Sequence, residues 1–358
     1  MEVYYFTLFI LMIGCFYECR LTGSKQAVHL QKLYLIPLLL IILQVGIRWE
    51  MATDWEAYFN IFKNSKVSLA NALMEPGYLA LNFVFYKISS SYQFFILVQS
   101  VFLYIVIFKL YKTITPYPLV ALMWFYSINL GIVGSSRQLI ALSIVTIGLL
   151  VYLKNKKWYF YIIFVFIAMQ FHTSSFFAIV YIFFDRRIST KLILIILIFS
   201  TIVGLSGVSK SVFSYISYFG EVAQNKTEAY TSEDATFSYT AIFKRLVILF
   251  PLLYYRMKLK IKEMNIILNA YVFGICLYLV FGESFGILAT RGAFYFNLME
   301  PVIISLYLVL FRDAIKKHLY IIFAVSASVI LLRQSITQYP EIFVPYKTQF
   351  FETSTINY

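Results

Sequence analysis

The sequence predicts an all-α fold: a polytopic integral membrane bundle of about twelve spans, with outer-face loops and short membrane-lying helices. Three observations carry this. Hydrophobic residues make up 61% of the 358, charged ones only 13%, and mean hydropathy is +0.78. Soluble domains carry about 25% charged residues, so a soluble globular fold is excluded. Apolar runs recur along the chain, and lysines and arginines cluster in alternate connections between them.

Spans are expected near 3–19, 33–47, 91–109, 118–132, 136–153, 158–170, 173–184, 191–208, 243–256, 264–281, 292–311 and 318–333. Almost no loop separates 158–170 from 173–184. That pair reads as two thin helices or as a re-entrant element around His172. The stretch 77–88 is apolar but short, ending at Lys87 and three serines, and is expected to lie on the membrane or re-enter it. The first run has no basic residues before it, so it is expected to remain as a span rather than act as a cleaved signal.

One set of connections holds 18 basic and four acidic residues, a balance of +14. Its clusters are Arg20, Lys25 and Lys32; Lys109 and Lys112; Lys154, Lys156 and Lys157; Arg186, Arg187 and Lys191; Arg256 through Lys262; and Arg312, Lys316 and Lys317. The opposite face is left at −1. The net charge of +13 therefore reports orientation, with the positive face inside and both termini outside, and does not call for nucleic acid. Cys15, Cys19 and Cys276 form no disulfide framework, and the three histidines are too dispersed for an ordinary zinc set.

A single transmembrane domain over 1–358 is expected, with long outer segments at 48–90, 209–242 and 334–358. Inner connections are short and basic, which leaves no room for a cytoplasmic catalytic domain. Chemistry should come from span ends and outer loops.

In the first outer segment Asp54 can cap a helix whose Trp55, Tyr58, Phe59 and Phe62 form one stripe. Such a helix would lie at the bilayer surface with the aromatics down, and Arg48 would snorkel beside it. Asp54 and Glu56 have acidic-x-acidic spacing, but no further ligand accompanies them, and no metal is expected. Glu75-Pro76-Gly77-Tyr78 places a carboxylate at a helix start, either as a capping acid or as a base for a sugar hydroxyl. Gly131 to Gln138 forms a hairpin of small residues, with Ser135 or Ser136 as cap and Arg137 opening a span. A helix start with an arginine suits a phosphate.

His172 is a packed residue or an acid, base or phosphate ligand at the bundle mouth. Thr290-Arg291-Gly292 repeats the Arg137 arrangement, and Lys244-Arg245 does so more weakly. Glu300 is an intramembrane carboxylate, functional or paired within the bundle. Tyr339, Tyr346 and their prolines suit sugar stacking or interface anchoring. The acidic 209–242 loop reads as a lid or as an unstructured loop. Arginines at helix starts suggest a diphosphate, carboxylates suggest base catalysis, and aromatics suggest sugars. A lipid-linked sugar diphosphate combines all three.

These residues resemble the EpsG/Wzy-type polysaccharide polymerases of O-antigen, capsule and exopolysaccharide assembly. The resemblance rests on Arg48, Asp54 and Tyr58; Glu75-Pro76-Gly77-Tyr78; Arg137-Gln138 and Ala141; Phe171-His172 and Ser174; Arg291 with Tyr295-Phe296; and Tyr339-Pro340 with Pro345-Tyr346. It covers roughly 48–346. Ala52 departs from it, because the family often has glycine before the Thr-Asp pair. The resemblance implies a GT-C-like glycosyltransferase at the outer face of the bacterial plasma membrane. It would transfer a growing glycan from undecaprenyl diphosphate to the next lipid-linked repeat unit, without cofactor or nucleotide sugar. Its partners would be the undecaprenyl-diphosphate-linked oligosaccharide, the bilayer and a chain-length regulator protein.

Arg137 and Arg291, supported by Arg48 or Arg245, are the expected diphosphate ligands. Asp54, Glu75 or His172 is the expected base. Tyr58, Tyr78, Gln138, Tyr295, Tyr339 and Tyr346 are the expected glycan contacts. A flippase for lipid-linked sugars and a glycan ligase are the other readings.

Overall fold

The computed structural model describes residues 1–22, 29–65, 74–208, 238–283 and 285–349. Among the described residues the chain is helical, apart from one isolated antiparallel bridge between Arg48 and Thr348. Most of the 209–242 lid expectation, with Glu221, Glu228, Glu233 and Asp234, falls outside them. Two compact units emerge: Met1–Thr173 with Ile304–Tyr358, and Ser174–Ile303.

The first unit begins with α1 (Glu2–Leu21), α2 (His29–Gly46), the short α3 (Trp55–Lys63) and α4 (Pro76–Ile88). It continues with α5 (Tyr92–Ile114), α6 (Pro118–Asn129, extended by a 3-10 turn to Ile132), α7 (Ser136–Asn155) and α8 (Trp158–Met169). Pro76 and Pro118 open their helices at positions where a missing N–H costs nothing, and the Ser91 hydroxyl caps α5 by accepting from Phe94 N.

The second unit holds an 11-residue 3-10 stretch over Thr173–Phe183, α9 (Thr190–Leu205), α10 (Tyr239–Leu259), α11 (Met264–Phe281) and α12 (Gly286–Asn297). Helix α13 (Met299–Leu306) carries the chain past Ile303, and α14 (Ala314–Gln338) with the single turn α15 (Pro340–Phe343) completes the first unit.

Helices occupy all twelve of the expected spans, but fewer pass as membrane crossings. Five are long and apolar enough, namely α1, α5, α7, α11 and α14, and a sixth results if α12 and α13, bent by 45°, form one broken span. The protein is therefore a multi-pass membrane protein, with five to six candidate spans among the described residues by length and composition. The others fall short for physical reasons. Helix α6 has 12 residues, nearly all buried within the protein, so its length is matched to neighbouring helices rather than to the bilayer. Helix α10 carries Lys244, Arg245, Arg256 and Lys258 and contains Pro251.

Side chains bring the ends of the first unit's helices to common levels. At the basic end, the buried Glu18 carboxylate of α1 accepts from Leu119 N (3.0 Å) and Val120 N (3.4 Å), capping α6. Beside it Lys317 of α14 donates to the Tyr117 hydroxyl at 3.0 Å, and Phe16 stacks on His318. At the opposite end Tyr4 donates to Phe343 O and Tyr126 to Gln44 Oε1.

One local expectation is overturned. The aromatic stripe of α3 does not lie face down on a bilayer. Trp55, Tyr58, Phe59 and Phe62 are buried within the protein, packing on Trp49, Tyr78, Tyr86, Tyr92 and Phe95. Amphipathic periodicity requires an apolar partner, and here it is a set of aromatic rings.

Candidate active site

The Arg137 side chain leaves the first turn of α7. Ser135 takes the N-cap position without a side-chain cap bond. The Ser136 hydroxyl donates instead to Gln99 Oε1 (2.8 Å), and Gln99 Nε2 donates to Ser136 O (3.1 Å), so α5 fixes the start of α7. The capping expectation for these serines therefore gives way to an interhelical pair inside the bundle.

Arg137 Nη1 donates to Glu75 Oε2 at 2.6 Å, and its Nε donates to the Tyr58 hydroxyl at 3.2 Å. Its guanidinium lies 5.8 Å from the Tyr58 ring centre, within cation–π range. The second Glu75 oxygen accepts from Thr173 N (3.3 Å) and Thr173 Oγ1 (3.2 Å). Thus α3, the N-cap of α4, the start of α7 and the turn after α8 meet around the Arg137–Glu75 pair. The Arg137 and Glu75 side chains are 21% and 16% exposed, so the pair is reachable from outside.

The turn after α8 is held close. Tyr78 N donates to Gln170 O at 3.2 Å, and a Cβ on Gly77 would stand 2.7 Å from that oxygen. Only glycine permits this approach. It places the buried His172 near Glu75. Burial alone would raise the Glu75 carboxyl. The charge and hydrogen bond of Arg137 outweigh it, His172 adds to them, and the carboxyl is held below its usual range.

Arg48 sits in a different setting. It is buried, with Nη1 donating to Val45 O, Nη2 to Val133 O at 3.0 Å, and Nε unpartnered. Tyr4, Gln44, Tyr346 and Phe343 surround it with Met51 and Ala52. The C-terminal segment straps this loop: Trp49 N donates to Lys347 O (3.0 Å) and Tyr346 OH to Gln44 O (2.5 Å). The snorkelling expectation is corrected here. The guanidinium turns inward because carbonyls at the end of α2 and in the hairpin need a donor, and burial lowers its pKa.

Ala52 takes φ +81°, a conformation that favours glycine. Its neighbour in space is Gly134, where an added Cβ would stand 3.0 Å from Ala52 Cβ and from Thr53 Oγ1. Gly134 thus leaves room for the Ala52 side chain, while the positive φ at Ala52 remains. Asp54 occupies the N-cap position of α3 but makes no side-chain cap bond.

Of the other expected residues in this unit, Tyr58, Tyr78 and Gln138 are buried, Tyr346 is half-buried, and Tyr339 is 43% exposed. In the second unit Arg245 lies 4.7 Å from the Tyr278 ring centre and donates to Ala241 O, inside α10 rather than at its start. Arg291 is exposed in the middle of α12, which begins at Gly286. Thr290 bonds back to the Gly286 carbonyl instead of capping. The arrangement at Arg137 is therefore not repeated there, because the apolar run begins a turn earlier than Thr290 suggests. Tyr295 is buried with its hydroxyl 3.3 Å from Ser174 Oγ. Glu300 pairs with Lys244 at 3.0 Å.

Sequence reasoning missed Thr173, Gln99 and Gln44. The two glutamines lie inside apolar runs, and a polar residue there was the available signal. Among the described residues, no group of three or more His, Cys, Asp or Glu could hold a metal.

No curated protein matches the chain. No solved structure matches it. A family model, described as the EpsG family, matches residues 31–348, nearly the whole chain and every residue of the Arg137–Glu75 cluster. On that match the chain belongs to the EpsG family.

Proposed function

We propose that this protein is a membrane polysaccharide polymerase that moves a growing glycan from undecaprenyl diphosphate to the next lipid-linked repeat unit. The reaction would take place at the outer face of the bacterial plasma membrane. The family membership suggests polysaccharide-polymerase activity. The observation that carries the finer reading is the Arg137–Glu75 pair, a cation and a carboxylate 2.6 Å apart and still partly open to the outside.

The chemistry follows from that pair. The acceptor hydroxyl oxygen attacks the anomeric carbon of the donor. The bond from that carbon to the diphosphate oxygen breaks, and the lipid diphosphate leaves. Its developing charge would be taken by Arg137. A diphosphate that claims Arg137 releases Glu75 from its partner. The Glu75 carboxyl would then rise from its depressed value and accept the acceptor's proton, with Thr173 holding its other oxygen. Asp54 and His172 are the competing bases. Arg48, committed to Val45 and Val133, would position the hairpin rather than touch phosphate.

The test incubates the purified full chain with lipid-linked repeat units. A ladder of products supports the polymerase, and transfer of one unit to a different acceptor makes it a ligase. If Arg137→Ala gives long polymer at normal rates, the phosphate assignment fails.

A further inference from the structure

A groove of about 300 Å³ runs beside the candidate site, entirely within the first unit. Its walls come from α4 (Leu81, Phe85), α5 (Phe95, Val98, Gln99, Phe102), α7 (Ile140, Ile144) and Phe171. Gln99 is its one polar group, and both ends of that amide are bonded to Ser136. The rest is aliphatic and aromatic. No water-binding chemistry lines it.

Two features give the groove a direction. Its upper rim adjoins the site at three points: Gln99 bonds the residue before Arg137, Phe171 precedes His172, and α4 starts at Glu75. From Arg137 to Ile144 along α7 is seven residues, so the groove descends ~10 Å from the guanidinium into the bilayer-spanning zone. Its flank is open. Phe102, on its wall, is 37% exposed, as a lipid-facing residue is.

We propose that this groove holds the first isoprene units of a polyprenyl chain whose diphosphate lies at Arg137. This rests on the polymerase reading and adds where the lipid half of the substrate lies. Charge and hydropathy are matched along one path: a cation at the mouth, an apolar trough below, and a lateral opening through which a membrane-resident chain enters without leaving the bilayer.

A polyprenyl diphosphate without sugars, carrying a photoactivatable diazirine three isoprene units from the head, tests this on the purified full chain. Labelling is expected in the peptides containing Leu81–Phe85 and Val98–Phe102. Val98→Trp and, independently, Leu81→Trp should each lower it at least tenfold while the protein elutes as a folded species. Phe9→Trp, at an exposed position of α1, which does not line the groove, should leave it unchanged. The proposal is overturned if label spreads evenly over the helices, if neither groove variant lowers it, or if phosphatidylglycerol competes as well as unlabelled polyprenyl diphosphate.

The two readings separate cleanly. Groove labelling in a protein that makes no polymer keeps the groove and rejects the polymerase. Normal polymer from Val98→Trp, with label elsewhere, does the reverse.

Discussion

Arg48 and Arg137 make an informative comparison. Both follow or open an apolar run, both lie in the same unit, and both read as outer-face arginines. Arg137 faces a carboxylate and a phenol and keeps a fifth of its side chain exposed. Arg48 faces backbone carbonyls, those of Val45 and Val133. The first arrangement can exchange one anion for another. The second cannot, because withdrawing the guanidinium would leave buried carbonyls unpaired. A charged residue at a span end is therefore available for chemistry only when its partner is itself displaceable.

The strongest break in this comparison is functional. Arg137→Ala should lower polymer formation by roughly 100-fold, equivalent to about 3 kcal/mol, a larger effect than the modest loss of thermal stability expected from breaking the Glu75 pair. Arg137→Lys should recover only part, since a point charge cannot serve Tyr58 and Glu75 together. Normal product ladders from Arg137→Ala would remove the distinction between the two arginines.

Arg48→Met should behave in the opposite way. Leaving the Val45 and Val133 carbonyls without a donor should destabilise the fold by about 2 kcal/mol, read by thermal unfolding in detergent. Turnover per folded molecule should change only a few-fold. A large loss of turnover with unchanged melting would mean that Arg48 touches substrate.

Acidification sharpens the contrast further. The folded Glu75 carboxyl is held below its ordinary value. Its contribution is thus complete above the unfolded carboxylate pKa of about 4.3 and is lost as pH falls through the lower folded value. The stability gap between the wild type and Glu75→Gln should narrow over that range. A gap independent of pH would contradict the ion pair.

The smallest effect concerns the loop beside Arg48. Ala52→Gly should stabilise by about 1 kcal/mol, since it relieves a positive φ. Gly134→Ala should destabilise, and the two together should be closer to neutral than their sum, because the added Cβ at 134 then meets no Cβ at 52. Additive values would uncouple the loop from the hairpin.

Much of this was legible without coordinates. Glu75, Arg137 and His172 were each singled out by residue type and by position at a helix start or tight connection. That Tyr58 would turn inward to Arg137 was not. The stripe 55, 58, 59, 62 marks a buried face in either setting, and periodicity does not say whether lipid or protein covers it. Arg291 looked like Arg137 because both follow small or hydroxylated residues. The structure separates them, since α12 begins five residues before Arg291.

By itself the sequence determined the membrane class, the helix positions and the residue types available at each helix end. Hydropathy, charge and periodicity are local properties, so a linear reading captures them. Only the tertiary structure decided which span ends are neighbours. That choice paired Arg137 with Glu75 across 62 residues and Glu75 with Thr173 across 98. It also buried Arg48 under the C-terminal strap. Ion pairs form over a few ångströms, and in a chain of many similar apolar helices it is packing that brings particular ends within that distance.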